Sequence, residues 1–184
     1  MNNNFKCFDK FIANPDLTED EMFDNVVLRE CDPSDILNVA DAVMKTFGLP
    51  TLDMTLRTFD EHKVDLYNSV LAVDAFTDEI YGVLLFAYHP LSSEIRKNDI
   101  SFQDFLQTLD MVEGHAFLLD ERLRGKGIDK EMLDFAKPFL NTFDAVWCGV
   151  DNDMKSHKYW ERLGFKKMGE NHNACFYMKA TDLE

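Results

Sequence analysis

Leu119-Asp120-Glu121-Arg122-Leu123-Arg124-Gly125-Lys126-Gly127-Ile128 is the stretch on which the reading of this chain turns. The residues before it, Glu113 to Leu119, form a short apolar run of strand length. After it, Ile128, Met132, Phe135 and Ala136 recur at helical spacing, so a helix with one apolar side is expected, and Pro138 is expected to kink or end it. A strand that runs through a glycine turn into a helix suits an anion. The first amides of a helix lack internal partners, and the helix dipole adds partial positive charge at the same end. Gly125 and Gly127 let the backbone come close to a phosphate. Arg122, Arg124 and Lys126 gather positive charge in a chain whose net charge is −15. Taken alone, the stretch reads equally well as a basic turn whose glycines only serve backbone geometry.

Two common phosphate loops are excluded. The G-x-x-x-x-G-K-[ST] pattern does not occur. The dinucleotide pattern G-x-G-x-x-G requires a third glycine at position 130, which is Lys130, and a parallel βαβ unit that the order of elements does not supply.

Working outward, Ala145 to Val150 reads as a strand and Met154 to Leu163 as a short helix closed by Gly164. Phe165–Met168 and Ala174–Lys179 read as a final pair of strands. Upstream, Ser69–Ala75 and Ile80–Tyr88 flank Phe76-Thr77-Asp78-Glu79 and form a hairpin signature. Val26-Val27-Leu28 reads as a first strand. Asp32-Pro33-Ser34-Asp35 starts a helix that buries Ile36, Val39, Ala40, Val43 and Phe47 and stops at Gly48-Leu49-Pro50. A second helix is expected over Thr55 to Leu66, with Leu56, Phe59 and Leu66 inward. Between His89 and Asp110 lies a long connection with Phe102, Phe105, Leu106 and Leu109 on one helical side behind Ser101, expected to cover the domain, a partner subunit or a pocket. Residues 1–25 are acidic without clear period and read as an extension. Residues 26–184 read as one mixed α+β domain.

Arg-x-x-Gly-x-Gly between a strand and a helix resembles the acyl-coenzyme A signature of the GNAT superfamily of N-acetyltransferases. Asp153-Met154-Lys155-Ser156-His157-Lys158-Tyr159-Trp160-Glu161-Arg162-Leu163-Gly164-Phe165 resembles the second block of that family. The element order is similar over roughly residues 26 to 180. The resemblance implies a mixed, mostly antiparallel sheet flanked by helices, and acetyl-coenzyme A (acetyl-CoA) as co-substrate. It places the pyrophosphate on the amides of Arg124 to Ile128, with Arg122 and Lys126 alongside. Pantetheine then runs along Phe117, Leu118 and Leu119, where a backbone amide polarises the acetyl carbonyl, and Asn152 or Asp153 meets the cofactor. Glu113 and His115 fall where relatives carry a general base. Two apart on a strand, they share a face, and the glutamate requires an apolar setting to become basic enough. The tyrosine used as general acid in many relatives aligns with Trp160, which cannot donate in that role. Tyr159 is its neighbour, turned by about 100° on a helix, so the thiolate leaves unaided, through water or with help from Tyr159. The function implied is direct transfer of acetyl to a primary amine. The alternative is a catalytically weakened acyl-CoA-binding or interaction domain of the same fold.

Bulk properties agree. Apolar residues are 46% and charged residues 29% of the 184, the balance of a globular domain. The acidity disfavours nucleic acid and anionic membranes, and favours a small amine or a basic peptide or protein as acceptor. Cys7, Cys31, Cys148 and Cys175 are scattered, with no C-x-x-C pair and no zinc spacing, so reduced thiols in the cytoplasm and no metal are expected. The start shows no signal-peptide run, and no apolar stretch reaches membrane-spanning length.

Overall fold

The computed structural model describes residues 13, 15–89, 106–151, 157–170 and 174–181. Helix α1 (Glu19–Asn25) leads into β1 (Val26–Glu30), and a 3-10 turn (Pro33–Asp35) leads into α2 (Ile36–Phe47) and α3 (Leu52–His62). Then follow β2 (Val64–Asp74), β3 (Ile80–Ala87) and β4 (Met111–Leu119). After a second 3-10 turn (Glu121–Leu123) come α4 (Ile128–Leu140), β5 (Ala145–Asp151), α5 (His157–Arg162), β6 (Lys166–Glu170) and β7 (Ala174–Ala180). The strands form one sheet in the order β1-β2-β3-β4-β5-β7-β6. Every neighbouring pair is antiparallel except β4 and β5. This is the mixed, mostly antiparallel α+β sheet expected from the sequence.

Helices cover both faces. On one, Val39, Ala40 and Val43 of α2 and Phe59 of α3 pack on Leu71, Val83, Leu85, Ala116 and Leu118. On the other, Ile128, Met132, Ala136 and Leu140 of α4 and Trp160 of α5 pack on Leu84, Phe86, Phe117, Val146 and Val150. Leu106, at the end of the long connection, is buried against Trp147, Ala174 and Phe176. Phe102 and Phe105 lie outside the described residues, as do residues 154–156 of the expected helix start.

The hairpin between β2 and β3 is held by one side chain. The Asp74 carboxylate accepts the amides of Phe76 and Thr77 at 2.9 and 2.8 Å and the buried Tyr81 hydroxyl at 2.9 Å. Those donors fix the turn and hold the carboxyl below its ordinary range, the backbone bonds from Thr77 and Phe76 first.

Four local expectations are corrected. Residues 19–25 are a helix: Thr18 and Glu21 form a reciprocal capping box, and Met22 is fully buried in the main core. Helix α3 starts and ends earlier than expected. Thr51 caps it, and Lys63 closes it in the left-handed region at φ 57°, so Leu66 belongs to β2. Phe135 is 42% exposed, because the buried stripe of α4 runs through Ile128, Met132, Ala136 and Leu140. Pro138 does not stop α4 at once. The helix runs two residues further, and the Asn141 amide closes it on the Lys137 carbonyl at 2.9 Å.

Because Met22 is the anchor of α1, Met22→Ala is expected to lower the free energy of unfolding by about 2–5 kcal/mol, measured by urea denaturation. Stability equal to wild type would mean that α1 does not dock on the core.

Candidate active site

β4 is the strand around which the site is built. Its pairing with β3 slips once: Leu85 faces Ala116 and Phe86 faces Gly114, so His115 is the extra residue of a β-bulge. The bulge breaks the alternation that would put residues 113, 115 and 117 on one face. Glu113 and His115 meet α3, whereas Phe117 meets α5, 6.4 Å from the Tyr159 ring and 6.2 Å from that of Trp160. The strained register is tied down from β2: the Ser69 hydroxyl accepts the Phe86 amide at 3.1 Å.

On its other side β4 runs parallel to β5 for three pairs only, Met111–Ala145, Val112–Val146 and Glu113–Trp147. Beyond them no further pairing joins the two strands. Phe117, Leu118 and Leu119 still pair with Leu84, Val83 and Gly82 of β3. Their β5-facing edge therefore opens into a wedge whose foot is the Glu113–Trp147 pair.

The wide end of the wedge leads to the glycine turn. Gly125 and Gly127 have φ of 75° and 92°, a region that side chains rarely adopt. Gly127 precedes α4 and offers no side chain to cap it. The first intrahelical bond runs from the Glu131 amide to the Gly127 carbonyl at 3.0 Å. The amides before it, Ile128 among them, are aimed out of the helix end. The basic side chains are engaged locally. Arg122 donates to Asp120 at 2.9 and 2.8 Å and to the Leu17 carbonyl. Arg124 donates to the Leu119 carbonyl at 3.3 Å. Lys126 pairs with Glu19 of α1 at 2.5 Å and lies over the Phe23 ring. The Arg124 and Lys126 amides are engaged as well, donating to the Glu121 and Leu123 carbonyls at 3.4 Å, so the turn presents the start of α4 with cations around it.

At the foot of the wedge, Glu113 and His115 are each 1% exposed. Both carboxylate oxygens of Glu113 face an imidazole: His115 Nδ1 and His62 Nδ1 each lie 3.3 Å away. Burial pushes the Glu113 carboxyl up, but the two histidines together outweigh it and hold it down to about 2. The apolar setting that would make Glu113 basic enough is not what it meets: its two oxygens face two imidazoles. His62 was not singled out from the sequence. It lies 51 residues from Glu113, in the last turn of α3, where the helix dipole favours a cation. His89 lies beside it with ring centroids 4.4 Å apart, and the His89 carbonyl accepts the Trp147 indole N–H at 3.0 Å.

Tyr159 sits on the opposite face of β4 from Glu113, its hydroxyl buried. Trp160 is core packing, 3% exposed and edge-on to Phe165 at 5.0 Å. Asn152 and Asp153 lie outside the described residues.

No protein-family model and no curated protein matches the chain. Solved structures do. SsHAT superposes with a TM-score of 0.63 at 13% identity, over 86% of this chain and 100% of that one. An acetyltransferase of the GNAT family from Staphylococcus aureus Mu50 gives 0.54 at 14% identity, over 85% and 99%. The chain of a NatC complex bound to Gag peptide and CoA gives 0.57 at 12% identity, over 85% and 98%. The chain has the GNAT acetyltransferase fold. Among the described residues no helix is long and apolar enough to cross a membrane.

Asp120 ties the glycine turn of this fold to the N-terminal segment. It is fully buried and accepts the Ala13 amide at 2.7 Å besides its bonds from Arg122. Burial pushes its carboxyl up, and the Arg122 and Ala13 bonds hold it below the ordinary range nonetheless. A depressed folded pKa stabilises the fold above the unfolded value of about 3.9 and loses that contribution as pH falls below it. Wild type is thus expected to melt above Asp120→Asn at pH 7, with the gap closing as the pH drops below about 4. A gap that stays constant with pH would show that the charge of Asp120 contributes nothing.

Proposed function

We propose that this chain is an acetyl-CoA-dependent N-acetyltransferase that moves an acetyl group to a primary amine by direct attack on the thioester. One observation carries the reading: the strand whose parallel pairing stops at Glu113–Trp147 runs straight into an uncapped helix end built on Gly125 and Gly127. A ligand with an extended polar arm and an anionic end fits that combination. The arm runs along the β5-facing side of Phe117 to Leu119, and the pyrophosphate rests at the turn from Arg124 to Ile128, where the first amides of α4 point out of the helix end. Near Leu118 and Leu119, backbone amides polarise the thioester carbonyl.

The amine attacks the carbonyl carbon, the C–S bond breaks, and the amine proton passes to the cluster at the foot of the wedge. Glu113 orients the imidazoles of His115 and His62 through its two oxygens, each 3.3 Å from an Nδ1, and one of those rings takes the proton as base. We assign protonation of the departing thiolate to Tyr159, whose ring lies 6.4 Å from that of Phe117 on the other face of β4. The acceptor class we infer is a small amine or a basic peptide, in keeping with the net charge of −15. The NatC relative was captured with a peptide and CoA. Cys31, Cys148 and Cys175 are buried free thiols, which suits the cytoplasm.

Acetyl-CoA is expected to raise the melting temperature of the wild type through binding linkage. Gly125→Asp adds a negative charge and a strained φ at the phosphates and is expected to abolish the rise. A rise of the same size in that variant would remove the basis of the reading. In a thiol-release assay across an amine panel, Glu113→Gln is expected to reduce turnover on the order of 10²-fold with acetyl-CoA affinity unchanged. Full activity in Glu113→Gln and in His115→Ala would place the base elsewhere.

A further inference from the structure

We propose that His62, Glu113 and His115 form a binding site for a divalent transition metal ion of the zinc type. The ligand atoms are two imidazole nitrogens and a carboxylate, all within 4.8 Å of one another. Their spacing points beyond a hydrogen-bonded triad. A charge-assisted N–H···O contact closes to about 2.7–2.9 Å, yet both nitrogen–oxygen distances here are 3.3 Å. Ligands bonded at about 2.0–2.1 Å to a tetrahedral ion stand about 3.3–3.4 Å apart. The two contacts use different carboxylate oxygens, and one donor atom from each residue lies within 4.8 Å of the others, so modest side-chain shifts would close the three donors on an ion.

Burial gives the second argument. Glu113 and His115 are 1% exposed, and the His62 side chain is 12% exposed. A carboxylate taken out of water needs compensating charge, and a divalent ion supplies it. The donors also select the ion. Two nitrogens and one carboxylate suit zinc, cobalt or nickel, while magnesium and calcium prefer oxygen shells. Three protein ligands leave a fourth position for water or another donor. The elements that supply the ligands are fixed independently: His62 by the left-handed closure of α3 at Lys63, and Glu113 and His115 by the bulge in β4.

The ion would hold the lone pairs that the proposed transfer needs for its proton. A loaded site is therefore a blocked base, and zinc is expected to inhibit the transferase. That consequence rests on the function proposed above; the binding itself does not.

The test uses the full chain, freed of metal with a chelator and titrated with Co²⁺ alone. One equivalent is expected to bring up the intense visible absorption of four-coordinate cobalt, to be displaced by Zn²⁺, and to survive a large excess of Mg²⁺. His62→Ala and Glu113→Ala, checked for folding by circular dichroism, are each expected to weaken Co²⁺ binding by more than the 10–100-fold typical of losing an outer-shell partner. His157→Ala, a histidine outside the cluster that faces the Tyr177 hydroxyl at 3.0 Å, is expected to bind as wild type. A wild type that takes up no stoichiometric Co²⁺ would overturn the proposal and leave a hydrogen-bonded triad only. Equal binding by wild type and His62→Ala would also overturn it, by placing the ion elsewhere. Neither outcome depends on acetyl-CoA or on an acceptor.

Discussion

The parallel contact between β4 and β5 is three residue pairs long, and the wedge beside it exists because it is no longer. A sheet whose central strands stayed paired would have no free edge in its interior. Here the pairing starts at Met111–Ala145, is spent by Glu113–Trp147, and releases the rest of both strands to diverge. Part of the released edge is closed by the chain itself, the Leu119 carbonyl accepting Arg124 at 3.3 Å. The antiparallel pairings on the far sides, β3 with β4 and β5 with β7, keep each half of the sheet rigid while the middle stays open.

What sits at the two ends of that opening follows from local chain geometry. At the wide end, left-handed Gly125 and Gly127 turn the chain into α4 without a capping side chain, so the helix end remains available to an anion. Asp120 and Arg122 brace the turn from behind, and they recruit the N-terminal segment to do so through Ala13 and Leu17. At the narrow end, the bulge at His115 keeps the two titratable side chains on the α3 face while Phe117 returns to the opposite core. A single carboxylate with an imidazole at each oxygen can serve a proton or a metal ion, but not both at once.

Much of this was legible in the sequence because its signals are local. The apolar run, the glycine turn and the helical stripe of Ile128, Met132 and Ala136 lie within 24 residues and agree with one another. The Asp32-Pro33 start of the second helical region and the final strand pair were likewise found where expected. Helix α1 carried a legible signal that went unread, the Thr18-x-x-Glu21 box, because its surroundings have no apolar period and only Met22 is buried. The end of α3 was misplaced because Lys63, not glycine, takes the left-handed turn. That error hid His62, which would otherwise have stood out as a histidine in a last helical turn. No local pattern could have joined it to Glu113. That meeting is made by sheet register and by the bulge, and a bulge leaves no mark in residue type.

The most direct measurement is amide hydrogen exchange on the chain with and without acetyl-CoA. Slowed exchange is expected at residues 115–119 of β4 and 124–128 of the glycine turn, with β1 and β2 unchanged. Exchange that slows instead around the hollow lined by Leu133, Lys137, Leu163 and Lys179 would contradict the proposed site, because neither stretch lines that hollow. So would an exchange pattern that acetyl-CoA does not alter at all.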